Sequence, residues 1–168
     1  PEIVTKGVNT LSSTAGSDNS YSRYSGTSMA APTVTGSLLL LQEHYKNVHN
    51  EFMRSATLKG LVLHTADECG LSDGPDYAYG WGLLNSKKAV ETIDADGVSA
   101  IIDERTLSPN EVYTFNVVSD GTSPLMVTVS WTDPAGTAIN NGTIDDRTRT
   151  LVNDLDIRIT KDGVTTYP

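Results

Sequence analysis

The chain has 168 residues, 38% of them apolar, a formal net charge of −9 and a single cysteine, Cys69. That length gives room for one ordinary domain or two small ones, burying about 70% of the unfolded surface. The acidic balance argues against nucleic acid and anionic membranes as partners, and one cysteine rules out an internal disulfide framework. The longest aliphatic run, Leu38 to Leu41, falls far short of the roughly 20 residues a membrane helix needs.

Taken in order, Pro1-Glu2-Ile3-Val4 and Gly7-Val8-Asn9-Thr10-Leu11 read as short extended segments broken at glycine, as at a domain edge. These residues read as the middle of a domain, so the chain is expected to be a fragment of a longer protein. Ser12 to Ser25 is rich in Ser, Gly, Asn and Asp and is expected to be an exposed loop, with Tyr21 and Tyr24 packed beside the next element.

That element begins in Tyr24-Ser25-Gly26-Thr27-Ser28-Met29-Ala30-Ala31-Pro32. Gly26 permits a tight turn, and Ser28 starts a helix, beside unpaired backbone N–H groups and the positive end of the helix dipole. A serine there can cap a buried helix, or it can act as a nucleophile if a base lies beside it and donors face the oxyanion. The heptapeptide Gly26 to Pro32 resembles the nucleophile motif of the subtilisin-like serine proteases, the subtilases. The resemblance favours the second reading and makes Ser28 the catalytic residue. Gly26 and Thr27 then support the turn and the oxyanion. Thr5-Lys6 replaces the Ala-Pro usual before Gly7 in that family, and Thr33 replaces the histidine usual after the proline; neither carries the proposed chemistry.

Ala30, Val34, Leu38, Leu41 and Tyr45 share one helical face, and Ala31, Leu39 and Leu40 widen it, which predicts a mostly buried helix surfacing near Gln42 to Asn47. Asn50 is expected to cap a second helix containing Phe52, Met53, Ala56, Thr57 and Leu61, with Leu61 to Ala66 closing the pattern, and Asp67 to Tyr77 to form a loop. Tyr79-Gly80-Trp81-Gly82-Leu83-Leu84-Asn85 resembles a second subtilase motif, with Trp81 read as a packing anchor. Asn85 is expected to cap a short helix over Ser86 to Ile93.

Near Asp94-Ala95-Asp96-Gly97 the pattern turns from helical to alternating. The domains expected are therefore 1–98, the C-terminal portion of a subtilisin-like α/β domain, and 99–168, an all-β sandwich or jelly-roll-like domain. The alternation of Tyr113, Phe115 and Val117, of Leu125, Val127, Val129 and Trp131, and of Leu155, Ile157 and Ile159 supports the second, as does a resemblance of Ser130 to Pro134 and Leu151 to Asp156 to jelly-roll domains that follow some subtilases.

The three histidines, His44, His49 and His64, do not lie in the His-Gly-Thr setting of the family. His44 is also about 24 Å from Ser28 if one helix carries both. Resemblance therefore implies that the triad Asp and His and an oxyanion asparagine belong to an upstream portion, and that this chain alone is inactive. No cofactor is needed for the chemistry. Structural calcium is a candidate at Asp145, Asp146, Asp154 and Asp156 with carbonyls of Asn140 to Thr143, and a solvated acidic loop is the alternative. Asn141-Gly142-Thr143 is also a minimal glycosylation sequence. The expected partners are a protein or peptide substrate and the upstream remainder of the domain, with no nucleic acid or membrane; the expected location is secreted or cell-surface, from the family. The rivals are a binding or scaffold module that keeps a protease-like fold without a triad, and a carbohydrate- or protein-binding role for the sandwich.

Overall fold

The computed structural model describes residues 1–139, 142, 144 and 146–168. They form two compact units, Pro1–Thr128 and Val129–Pro168. The first is a small α/β unit. An antiparallel hairpin, β1 (Thr10–Ser13) and β2 (Tyr21–Tyr24), precedes α1 (Thr27–His49), α2 (Ser55–His64) and α3 (Ser86–Asp94). The second unit holds the hairpin of β3 (Ile159–Lys161) and β4 (Val164–Thr166).

The β1–β2 hairpin replaces the loop expected over Ser12 to Ser25, pairing Thr10 with Tyr24 through Ser13 with Tyr21. Its polar connection is closed from within: Thr14 N–H donates to the Ser20 carbonyl at 2.9 Å, and the two side-chain hydroxyls meet at 2.6 Å. Ser-rich strands carry little apolar alternation, so pairing between residues eight to fourteen apart left no local mark. Tyr21 and Tyr24 are exposed, at 66% and 53%, rather than packed.

The core sits where the three helices meet and consists of Leu41, Tyr45, Met53, Leu61, Val62, Ala89 and Ile93, with Ile3, Leu38, Leu58, Leu84, Val90 and Ile102 packed against it. The amide of Gln42 pins the α1–α2 connection by pairing with both the N–H and the carbonyl of Met53 at 2.9 Å. Only one side of α1 joins this core. Within these 168 residues Leu39 and Leu40 are each 67% exposed, so the chain itself covers only one side of a helix expected to be mostly buried. The periodicity fixed which face is most apolar, while burial also depends on what packs against the other faces.

Asn50 ends α1 instead of starting α2: it lies in the left-handed region at φ 66° and donates its N–H to the Lys46 carbonyl at 2.8 Å. Asparagine tolerates that conformation and so stops helices as well as starting them. The start of α2 is held from a distance, since Glu104 accepts from the Arg54 N–H at 2.8 Å and from the Thr57 hydroxyl. Asn85 does cap α3, its Oδ1 accepting the Lys88 N–H at 2.9 Å.

The Trp81 segment is tied by its backbone. Trp81 N–H donates to the Glu2 carbonyl at 2.9 Å, and Val4 bridges Leu83 in parallel. A side chain on Gly80 would run into the carbonyls of Pro1 and Glu2, which explains a glycine at φ 63°. Trp81 as a residue is 46% exposed, so the hydrogen bonds that tie this segment are those of its backbone.

Over residues 99–168 no sandwich forms among the described residues. β3–β4 is the two-stranded sheet of this region, and the alternating residues Tyr113, Phe115, Val117, Leu125, Val127 and Val129 are exposed without strand partners. Period-2 alternation shows that a strand could bury one face; the sheet itself needs partner strands in register. Within the second unit, Asp133 organises a turn by accepting the N–H groups of Val152 and Asn153 at 2.8 and 2.9 Å, donors that hold its carboxyl below the usual carboxylate range.

Candidate active site

The chain reaches Ser28 through a clasp between residues 7–9 and 23–26. Gly26 N–H donates to the Gly7 carbonyl at 2.8 Å, Asn9 N–H to Ser25 Oγ at 2.9 Å, and Arg23 Nη1 to the Asn9 carbonyl at 3.0 Å. Asn9 makes this possible by adopting φ 55°. Gly7 is needed for the close approach: a Cβ there would lie 2.7 Å from the Gly26 carbonyl oxygen and 3.0 Å from Ala30 Cβ. The β1–β2 hairpin thus presents Gly26 as the residue before α1, and Ser28 follows as the second residue of the helix.

At this helix start the Gly26 carbonyl accepts from Met29 at 3.0 Å and Ala30 at 3.3 Å. Among the described residues the N–H groups of Thr27 and Ser28 make no backbone hydrogen bond, and the first turn carries no acidic side chain. Two donors and the positive end of the dipole are therefore available beside the exposed Ser28 hydroxyl. Pro32 lies four residues on, inside α1. It has no N–H to return to the Ser28 carbonyl, so the usual i→i−4 bond over the serine is missing. Thr33 and Thr35 hydroxyls donate to the carbonyls of Met29 and Ala31 at 2.9 and 3.1 Å in the same turn.

No base reaches Ser28 among the described residues; each histidine is engaged elsewhere. His44 Nε2 lies 2.7 Å from Asp94 Oδ1. His49 stacks on Tyr45 at 4.1 Å between ring centroids, and its Nε2 is 3.8 Å from Asp96 Oδ2, too long for a hydrogen bond. His64 Nδ1 is 2.9 Å from the Thr128 hydroxyl, and burial pushes its pKa below the ordinary histidine value. Two of the three thus join α1 to the α3 end, and the third serves Thr128.

Of the residues singled out from sequence, Gly26, Thr27 and Ser28 are brought together at the start of α1. Sequence reading missed Gly7, Asn9, Arg23 and Ser25. A glycine interrupting an extended segment is a recognised sign of close backbone approach, whereas the Asn9–Ser25 bond spans 16 positions and has no local signal. Asn140, Asn141, Thr143 and Asp145, part of the calcium and glycosylation readings, lie outside the described residues. Asp146 accepts from the Thr148 N–H at 2.8 Å, and Asp154 Oδ2 is 3.5 Å from Arg149 Nη1. Among the described residues no three carboxylate, imidazole or thiol groups converge as metal ligands. No described helix is long and apolar enough to cross a membrane.

The family model of the subtilases matches residues 1–82. Serotype-specific antigen 1 of Mannheimia haemolytica is 34% identical over 83 residues, which cover 49% of this chain and 8% of the antigen. The C5a peptidase of Streptococcus pyogenes is 31% identical over 137 residues, covering 74% of this chain and 11% of the peptidase. A crystal structure of a lanthipeptide protease aligns with 43% of this chain and 21% of its own at 29% identity, with a TM-score of 0.41. The chain spans about a tenth of the length of these two curated relatives.

Proposed function

Residues 1–82 belong to the subtilase family, and from that premise we propose that Ser28 is the nucleophile of a secreted or cell-surface serine endopeptidase. One observation carries this reading. Within the Gly26 to Pro32 motif the structure leaves the Ser28 hydroxyl exposed at a helix start, with the N–H of the same residue unpaired.

In the proposed reaction a histidine from the upstream portion takes the Ser28 proton while Oγ bonds to the carbonyl carbon of a peptide. The developing oxyanion is met by the Ser28 N–H and by an upstream side-chain amide, with the helix dipole adding to the stabilisation. Collapse transfers the proton to the leaving amine and leaves an acyl-enzyme on Ser28. Water, deprotonated by the same histidine, then attacks the ester, and the acid and the free serine result. No cofactor enters these steps.

The positions of His44, His49 and His64 support the upstream origin of the base. In subtilisin, loss of the nucleophile costs about 10⁶ in kcat. The full-length protein carrying Ser28→Ala is therefore expected to lose about that much peptide hydrolysis with its fold retained. Hydrolysis persisting in that variant contradicts the assignment.

A further inference from the structure

α2 begins without the usual local cap. Its N-cap residue, Arg54, makes no side-chain capping bond, and its first turn carries no acidic group. Helix starts favour both, because the first N–H groups lack partners inside the helix and the dipole leaves that end positive. The place where a capping box would carry its glutamate, three residues after the N-cap, is held by Thr57. Glu104 does the work from 47 positions further on: its Oε1 accepts the Arg54 N–H at 2.8 Å and the Thr57 hydroxyl, and its Oε2 lies 3.1 Å from Arg54 Nε. A second tie runs from Arg54 Nη1, which donates to the Arg105 carbonyl at 3.3 Å.

The turn after α3 sends the chain back to this point. The Ala95 carbonyl accepts from Val98, Ser99 and Ala100, each at 3.0 Å, and Gly97 stands at φ 77°. Asp96 then accepts the Ile102 N–H at 2.8 Å. From there burial alternates. Ile102 and Glu104 are half-buried, the first packed against the three-helix core and the second bonded to the start of α2, while Asp103 and Arg105 are exposed and pair with each other at 2.7 Å. The neighbouring residue Met53 is held from the other side by Gln42 of α1. Met53 and Arg54 are thus gripped both by the helix that carries Ser28 and by a segment outside the residues matched to the family.

We propose that residues 99–106 are a latch on the α/β unit and that Glu104 fastens it to α2, so that the latch and α2 open together while α1 and α3 stay folded. α1 and α3 hold each other without the latch, through Leu41, Tyr45, Ala89 and Ile93 of the core and the contact of His44 with Asp94. The latch puts the end of this unit beyond residue 98, the boundary expected where the sequence turns from helical to alternating. It goes beyond the endopeptidase reading and holds whether or not Ser28 is a nucleophile. A carboxylate 50 positions from the N–H it caps has no local signal in the sequence.

Amide hydrogen exchange of the full-length protein, read by mass spectrometry of short peptides, tests it, because segments that open separately exchange at separate rates. Glu104→Ala is expected to speed exchange from Arg54 to His64 by about tenfold, the size of a lost helix cap, with α1 and α3 unchanged. Glu104→Gln keeps a carbonyl acceptor for the Arg54 N–H and the Thr57 hydroxyl but loses the charge, and should give a smaller increase confined to the same residues. Arg105→Ala is the control: that side chain meets Asp103 and Tyr113, and its loss should leave all three helices unchanged. If Glu104→Ala does not fold, Glu104→Gln decides by the same criterion. Exchange that rises alike in all three helices, or that does not rise in α2, overturns the proposal. So does an effect of Arg105→Ala on α2 equal to that of Glu104→Ala.

Discussion

Ser28 depends on residues that never touch the reacting atoms. Gly7 is the sharpest case, because its missing side chain leaves room for the Gly26 carbonyl that accepts the N–H groups of Met29 and Ala30. Gly7→Ala forces a methyl to within 2.7 Å of that oxygen, and overpacking of this kind costs about 1–3 kcal/mol. Thermal unfolding should show the loss, and peptide hydrolysis by the full-length protein should fall with it; a variant unchanged in both contradicts the clasp. His64 gives a pH prediction. Burial lowers its folded pKa below the unfolded value, so the neutral form is favoured in the folded state. The stability it contributes is present above about pH 6.5 and declines as pH falls through the lower folded value. His64→Gln, which still presents a polar group to Thr128, should therefore lose less stability than the parent between pH 7.5 and pH 5. Equal losses would falsify that assignment. At this scale the sequence was informative about chemistry-bearing residues with a local motif, Gly26 to Ser28, and silent about Ser25 and Arg23, whose roles come from pairing across the hairpin.

The helices show where local signals suffice. Asn85 sits directly before a helical run, and its side chain does accept the Lys88 N–H. It also donates to Asp67 at 2.9 Å, and Lys88 Nζ reaches the same carboxylate at 2.5 Å, so Lys88 and Asn85 together hold the Asp67 carboxyl below its ordinary range. Asn85→Ala removes the cap and one of those donors and should cost about 1–2 kcal/mol, readable as a lower denaturant midpoint. An unchanged midpoint contradicts the cap. Asn50 was legible only as a helix boundary, since the same residue type serves a start or a left-handed stop. The faces of α1 were legible in rank, with Leu41 and Tyr45 innermost, but not in extent. Leu39 and Leu40 fit the apolar pattern and still face solvent. Ile93 is fully buried at the centre of the three-helix core. Ile93→Ala should destabilise by about 2–5 kcal/mol, and a loss well under 1 kcal/mol would show that α3 is not part of the core.

At the level of the whole chain, fold and function are legible to different depths. Turns at Asp120-Gly121 and Asp162-Gly163 and the alternation from Tyr113 onward suggested strands, and the Asp162-Gly163 turn does join β3 to β4. The remaining alternating segments stay unpaired among the described residues, because strand pairing is a property of partners and not of one segment. The nucleophile motif, by contrast, lies within nine contiguous residues, Tyr24 to Pro32, and is readable there even though Gly7 and Asn9 help to hold it. Among the described residues no base reaches Ser28, because His44, His49 and His64 are held by Asp94, Tyr45 and Thr128.

An activated serine, as opposed to a helix cap, is what the account turns on. A fluorophosphonate probe reports it directly by forming a covalent bond to Oγ only where a base and oxyanion donors raise its reactivity. The measurement compares the full-length, processed protein, its Ser28→Ala variant and the 168-residue chain, with the labelled residue mapped by peptide mass. Labelling at Ser28 in the full-length protein, and in neither of the other two, is the expected result. A full-length protein that fails to label, or that labels at another residue, contradicts the nucleophile assignment and leaves this chain a scaffold with a protease-like turn.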